Sequence, residues 1–209
     1  MIIKSVTFAG AIASPGATPP GHLPQIAFSG RSNVGKSSLI NRLLGRTRTQ
    51  VARVSATPGK TREINFFDVA AGLDGRDVHF FLVDLPGYGY AKVSKELRRR
   101  WKPLIEGYLS GSRELIGVVQ LVDARHGPTA EDRQMIEFLA ASGLPTLIVL
   151  TKIDKLRGNE RRSKLPKIRS SLGVDEDQVV LFSAKTGEGR QELLDSMAAL
   201  LAEQGEGSE

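Results

Sequence analysis

The chain has 209 residues, 40% hydrophobic and 25% charged, which fits one domain with a sizeable core and leaves two full domains cramped. It has no cysteine, so disulfides and thiolate metal sites are excluded, in keeping with a reducing cytosol. No run is long and apolar enough to cross a bilayer, and the formal net charge of +6 leans toward a polyanionic partner.

In chain order, residues 6–13 predict a strand that Gly10 interrupts and Ser14-Pro15-Gly16 closes. This is a poor signal peptide, so a soluble, cytoplasmic protein with no membrane partner is expected. Residues 14–24 are a proline- and glycine-rich loop. Residues 26–29 predict a short buried strand ending at Gly30, and 36–44 a helix closed by Gly45. Residues 63–69 and 78–83 predict a hairpin around Ala70-Ala71-Gly72-Leu73-Asp74-Gly75. A helix follows over 94–109, then strands at 115–122 and 146–150 with a helix at 130–141 between them. Residues 161–171 predict a helix in which Pro166 marks either a start or a kink. The last elements are a strand at 178–182 and a helix at 189–203. This alternation predicts an α/β fold with a mainly parallel sheet. The chain divides into a strand and loop (1–23), one main domain (24–202) and a polar tail (203–209).

Gly30-Arg31-Ser32-Asn33-Val34-Gly35-Lys36-Ser37 has the P-loop spacing and lies between a strand and a helix, where backbone N–H groups and the helix dipole favour an anion. Lys36 is expected to reach the β- and γ-phosphates and Ser37 to ligate Mg²⁺. Ser38 completes the phosphate-binding stretch. A P-loop alone leaves the base open, since small-molecule kinases and ATPases share it. A kinase also needs an acceptor pocket and a lid, and neither segment is evident.

The base is read elsewhere. Thr151-Lys152-Ile153-Asp154 follows a strand, and the single carboxylate of Asp154 can accept both N1–H and N2–H of guanine while facing adenine N1 repulsively. The aliphatic stem of Lys152 can cover one face of the base. Phe182-Ser183-Ala184-Lys185 ends the final strand, where the Ala184 N–H can meet guanine O6. Both motifs fall at strand C-terminal ends, where α/β sheets bind ligands. GTP is therefore the expected substrate.

Asp84-Leu85-Pro86-Gly87 follows the second hairpin strand. Asp84 is expected to hold Mg²⁺ through water and the Gly87 N–H to meet the γ-phosphate. Between the first helix and the hairpin stands Thr57-Pro58-Gly59-Lys60-Thr61-Arg62, with Glu63 next. A threonine here completes the Mg²⁺ shell while the γ-phosphate is present, and spacing alone admits Thr57 or Thr61. Tyr88 holds the place of the glutamine that orients water in Ras-like enzymes, so slow hydrolysis is expected.

Together these motifs resemble the EngB/YihA/YsxC GTPases, within the TrmE-Era-EngA-YihA group of bacterial ribosome-associated GTPases. The resemblance is carried by Gly30 to Asn41, Thr57 to Thr61, Asp84-Leu85-Pro86-Gly87-Tyr88-Gly89-Tyr90-Ala91, Trp101, Val122 to Pro128 and Phe182 to Lys185, and covers residues 24–201. It implies a Ras-like G domain: a mostly parallel six-stranded sheet with one antiparallel edge strand, helices on both faces, and an additional N-terminal strand. It implies a role in assembly of the large (50S) ribosomal subunit, with a requirement in cell division and septation. It assigns the effector-loop threonine to Thr61, with Gly59, Lys60, Arg62 and Glu63 beside it against the nucleotide. It also implies that Asn33 helps bind K⁺, which would supply the charge that an arginine finger supplies elsewhere. Catalytic roles accordingly fall to Lys36, Asn33, Thr61 and Gly87. The expected partners are GTP or GDP and the large subunit or its precursor, with the chain a monomer.

Two basic clusters remain: Arg98-Arg99-Arg100-Trp101-Lys102, and Lys155, Arg157, Arg161, Arg162, Lys164, Lys167 and Arg169. Both suit RNA phosphates. Trp101 is expected to pack in the core rather than stack on a base.

Overall fold

The structure is a computed structural model and describes residues 1–46, 52, 63–89 and 95–206, with side chains for all of these except 95–102 and 204–206. Seven strands form one sheet: β1 (Ile2–Ile12), β2 (Gln25–Gly30), β3 (Ile64–Leu73), β4 (Arg76–Asp84), β5 (Leu115–Asp123), β6 (Thr146–Thr151) and β7 (Val179–Phe182), in the order β1-β3-β4-β2-β5-β6-β7. The pairs β4–β2, β2–β5, β5–β6 and β6–β7 are parallel. The pairs β1–β3 and β3–β4 are antiparallel. The helices are α1 (Lys36–Leu43), α2 (Lys95–Gly111), α3 (Ala130–Ala141), α4 (Gly158–Leu172) and α5 (Arg190–Glu206).

All six residues of β2 are buried, as are the first eight of β5. Central parallel strands read as continuous apolar runs because helices cover both faces. Successive side chains still alternate between the two sides. Ile26, Phe28 and Val119 join Leu39, Leu43, Leu193 and Met197 in a core beneath α1 and α5. Ala27, Val118, Val83 and Phe66 join Leu104, Tyr108 and Leu139 beneath α2 and α3. A third cluster sets Val122, Ile148 and Leu150 against Ile168 of α4. Each fully buried leucine, isoleucine or phenylalanine contributes about 1.5–3 kcal/mol relative to an exposed one.

The hairpin, the start of β1, the start of α4 and the end of α5 depart from the sequence reading by three residues or more. The hairpin turns on Asp74-Gly75 alone, with φ of 49° and 82°, so both central residues are left-handed as a two-residue type I′ turn requires. The Ala-Ala-Gly stretch instead extends β3, because Ala71 is buried in the core. The N-terminal strand starts at Ile2, paired with β3 from Ile2–Gly72 to Ile12–Ile64. It takes the sheet edge and leaves the antiparallel β3 one place inside. Helix α4 starts at Gly158 and runs unbroken through Pro166, and α5 continues to Glu206, past the expected start of the polar tail.

Candidate functional site

The strand order reverses direction about β2, which lies between β4 and β5. A crevice at the C-terminal edge of such a switch point is where open α/β sheets take ligands. The loops leaving β2, β4, β6 and β7 all end there.

From Gly30 the chain passes through Asn33, with φ of 66°, to Gly35, with φ of 106°, before α1 begins at Lys36. The left-handed turn at Gly35 is one a side chain would strain. Helix α1 has no acidic residue in its first turn and no side-chain cap. In contrast, Thr129 caps α3 by accepting from the Asp132 N–H, and Glu160 accepts from the Arg157 N–H at the start of α4. The first N–H groups of α1 and its dipole are thus left to an external anion. Lys36 and Ser37 stand at that end, Lys36 buried and Ser37 and Ser38 half-buried.

Lys36 Nζ donates to Asp84 Oδ1 at the end of β4, and both side chains are buried. Beyond Asp84, Leu85 and Pro86 are buried and Gly87 lies against the P-loop. Ser32 Oγ donates to the Gly87 carbonyl at 3.1 Å, and the Ser32 N–H donates to the Tyr88 carbonyl at 2.8 Å. A Cβ at Gly87 would lie 3.1 Å from both Ser32 N and Ser32 Cα, so any larger residue would push the two loops apart by a few tenths of an ångström.

Tyr88 turns its hydroxyl inward. It donates to Asp132 Oδ1 at 2.8 Å and accepts from Gln120 Nε2 at 2.6 Å. Burial, then the neighbouring Asp132 carboxylate, pushes the phenol well above the usual tyrosine range. The residue in the water-orienting place is therefore a neutral strut between the Asp84 loop, β5 and α3, unsuited to act as a base.

The two motifs expected to read guanine lie beside the P-loop, and the first is braced to it. Thr151 Oγ1 donates to the Val34 carbonyl at 2.8 Å. Lys152, left-handed at φ 61°, donates through Nζ to the Asn33 carbonyl, and to Asp123 Oδ2 at 2.9 Å. Burial pushes the Asp123 carboxyl up, but hydrogen bonds from Arg125 and Lys152 outweigh it and hold it at about 2. Asp154 sits in a short 3-10 turn, Ile153–Lys155, and Ser183 Oγ donates to its Oδ1 at 2.8 Å. Ser183 is fully buried after Phe182 and also accepts from the Thr186 N–H at 3.1 Å. Arg42 of α1 donates to the Ala184 carbonyl at 2.8 Å and to the Lys185 carbonyl. Arg161 joins the loops after β6 and β7, donating to the Ile153 carbonyl at 2.9 Å and pairing with Glu188 at 2.8 Å.

The structure thus brings together Gly30 to Ser38, Asp84 to Gly87, Thr151 to Asp154 and Phe182 to Lys185. Glu63 is exposed just before β3. Thr57, Gly59, Lys60, Thr61 and Arg62 lie outside the described residues, as do Tyr90, Ala91 and the side chains of Arg98 to Lys102, Trp101 included. Site reading from sequence missed Asp123 and Arg125. Their signal was an aspartate ending a buried strand, as Asp84 does.

A family model described as "50S ribosome-binding GTPase" matches residues 25–152. A probable GTP-binding protein EngB from Gemmatimonas aurantiaca is 52% identical over 97% of this chain and 95% of its own length. The chain belongs to the EngB family of GTP-binding proteins. Another EngB protein, from Desulforamulus reducens, is 47% identical over 93% of this chain and 91% of its own length. The crystal structure of a probable GTP-binding protein EngB superposes with a TM-score of 0.65 at 26% identity, over 86% of this chain and 99% of that one. Era in complex with MgGDPNP and nucleotides 1506–1542 of 16S ribosomal RNA superposes with a TM-score of 0.68 at 25% identity, over 85% of this chain and 56% of that one. The chain is therefore a GTPase of the EngB family with a Ras-like P-loop fold and an extra N-terminal strand.

Proposed function

We propose that this EngB-family GTPase is a switch in assembly of the large ribosomal subunit, binding GTP at the crevice described above and hydrolysing it slowly to GDP and phosphate. The observation that carries the reading is one sheet edge holding both an uncapped P-loop helix and a serine-oriented Asp154 carboxylate. A phosphate cradle and a guanine reader in one crevice define a guanine nucleotide site. The ribosomal role rests on the family description, and normal division and septation would follow from subunit supply. In this reading the chain acts as a cytoplasmic monomer. No helix among the described residues is long and apolar enough to cross a membrane.

In the mechanism, backbone N–H groups from Arg31 to Ser38 receive the phosphates, while the Gly30 and Gly35 backbones allow close approach. Lys36 leaves Asp84 for the β- and γ-phosphates. The Gly87 N–H turns to the γ-phosphate, which requires the Ser32 bonds to the Asp84 loop to loosen. Leu85 and Pro86 hold that loop on the core. Asp154 accepts N1–H and N2–H of guanine, the Ala184 N–H meets O6, the Lys152 stem lies on the base face, and Thr151, Ile153, Phe182, Ser183 and Lys185 hold these groups in place.

Ser37, Thr61 and Asp84 offer hydroxyl and carboxylate oxygens, the hard donors Mg²⁺ prefers. The buried Asp84, already matched to a cation in Lys36, fits this use. Ser37 and Thr61 would hold the ion directly and Asp84 through water, and Gly59, Lys60, Arg62 and Glu63 would contact the nucleotide. When bound, Mg²⁺ offsets charge on the phosphates. Asn33 is exposed at the P-loop rim and its side-chain oxygen fits a K⁺ ligand; there K⁺ would add positive charge beside the phosphates.

Co-sedimentation with ribosomal fractions tests the reading. Binding to the large subunit that differs between GDP and a non-hydrolysable GTP analogue is expected. No association in either state would reject the ribosomal role.

A further inference from the structure

Residues 152–173 hold eight lysines and arginines against two acids, a surplus of six that equals the formal net charge of the whole chain. The rest of the molecule sums to zero, 21 basic residues against 21 acidic, with the Arg98–Lys102 cluster offset by acids elsewhere. Helix α4 packs Leu165, Ile168 and Leu172 on the third core cluster. At about 100° per residue, Asn159, Ser163, Pro166 and Ser170 fall on the opposite side. All four are exposed.

This outer ridge is small and uncharged, with exposed cations on either flank. Arg161, Lys164 and Arg169 are committed to Glu188, Glu160 and Glu176. Arg162 and Lys167 are not: among the described residues neither has a carboxylate partner, and Arg162 donates only to Asn159 Oδ1, at 2.6 Å. They lie on opposite sides of the ridge. We infer that this face of α4, through Arg162 and Lys167, docks on the phosphodiester backbone of ribosomal RNA. The inference rests on the ribosomal reading above and names its docking surface.

The chemistry favours RNA phosphate over an acidic protein segment. Low-profile Ser163, Pro166 and Ser170 let a backbone come close while the two cations reach phosphates on either side. The helix has no aromatic residue to stack on a base. Binding here is therefore positional and indifferent to sequence. On its inner side the same helix is tied to the loop after β6, where Arg161 bonds the Ile153 carbonyl.

The test uses the full chain with Arg162→Glu and Lys167→Glu combined, beside Arg162→Gln with Lys167→Gln. Binding to purified large ribosomal subunits is measured across a KCl series with GDP and with a non-hydrolysable GTP analogue. GDP affinity serves as the folding control and is expected to be unchanged. The glutamine pair should lower the log–log salt slope by about 2, roughly one for each phosphate no longer neutralised, and the glutamate pair should weaken binding further. A parent that binds subunits, with both variants binding equally at all salt concentrations, overturns the docking surface alone. Parent binding that does not depend on salt but is abolished in the variants assigns the face to a protein partner and overturns the RNA inference. A parent that binds no subunits overturns the ribosomal reading and this inference with it.

Discussion

Lys36 and Asp84 form a buried ion pair between the P-loop and the end of β4. Such a pair adds little net stability, but removing one partner strands a buried charge, at a cost of about 3–5 kcal/mol. We expect Asp84→Ala to destabilise the nucleotide-free protein by about that amount in urea unfolding, with a smaller loss under saturating GTP, where phosphates replace the carboxylate beside Lys36. An equal loss in both conditions would mean that Lys36 does not transfer to the nucleotide. Asp154→Asn puts a donor where guanine also donates. Guanine affinity should fall by about 1–3 kcal/mol, and xanthine nucleotides, with a carbonyl in place of the amine, should gain. Titration with labelled GDP and XDP checks the exchange. At Asn33, single-turnover hydrolysis should be faster in K⁺ than in Na⁺, with the difference abolished in Asn33→Ala. Identical rates in the parent would remove the cation and leave a partner-supplied group as the better account. At this scale the placement of Lys36, Asp84 and Asp154 around one crevice was legible, because motif spacing sets each at a strand end or helix start. The Tyr88 strut was not, because its partners Gln120 and Asp132 lie far along the chain and join it only through the sheet order.

The element that matters most to the site is the brace from β5 through the loop after β6 to the P-loop. Asp123 pairs with Lys152, and Lys152 also donates to the Asn33 carbonyl, so β5, the loop after β6 and the P-loop are tied through one ammonium group. The Asp123 carboxyl at about 2 lies below its ordinary 3.8. A carboxylate depressed in the folded state contributes stability that is fully present above its unfolded value and lost as pH falls through the folded one. The contribution should therefore hold above about pH 4 and disappear toward pH 2. Urea unfolding of Asp123→Asn should show lower stability than the parent at neutral pH and a shallower decline across that window; parallel curves would exclude the brace. Element types were legible from period and punctuation, as with Gly45 closing α1. Boundaries were less so where tertiary burial overrode local signals. Ala71 drew β3 onward to the Asp74-Gly75 turn, and pairing with β3 drew β1 back to Ile2, although Lys4 and Ser5 give that end no apolar pattern.

At the scale of the whole molecule, parallel strands were legible as apolar runs, but their order was not, because sequence does not state which strand lies beside β2. That order creates the crevice, and the crevice draws its walls from four strand ends backed by three core clusters. A nucleotide seated there would bridge α1, the Asp84 loop, the loop after β6 and the loop after β7, elements otherwise joined at this edge by single side chains such as Lys152 and Ser183. A ligand that binds only the folded state raises stability by RT ln(1 + [L]/Kd), about 2.7 kcal/mol at a hundredfold excess over Kd. For a domain of this size each kcal/mol raises Tm by roughly 2–4 °C. We therefore expect GDP at that excess to raise the melting temperature by roughly 5–10 °C. ADP at the same concentration should leave it nearly unchanged, because adenine N1 faces the Asp154 carboxylate with an acceptor. The GDP shift should shrink in EDTA if Ser37 and Asp84 work through a metal. Thermal unfolding with GDP, ADP and GDP plus EDTA resolves the three cases. An equal shift with ADP would show that the phosphate loop binds without the base reader and would undo the guanine assignment at its root.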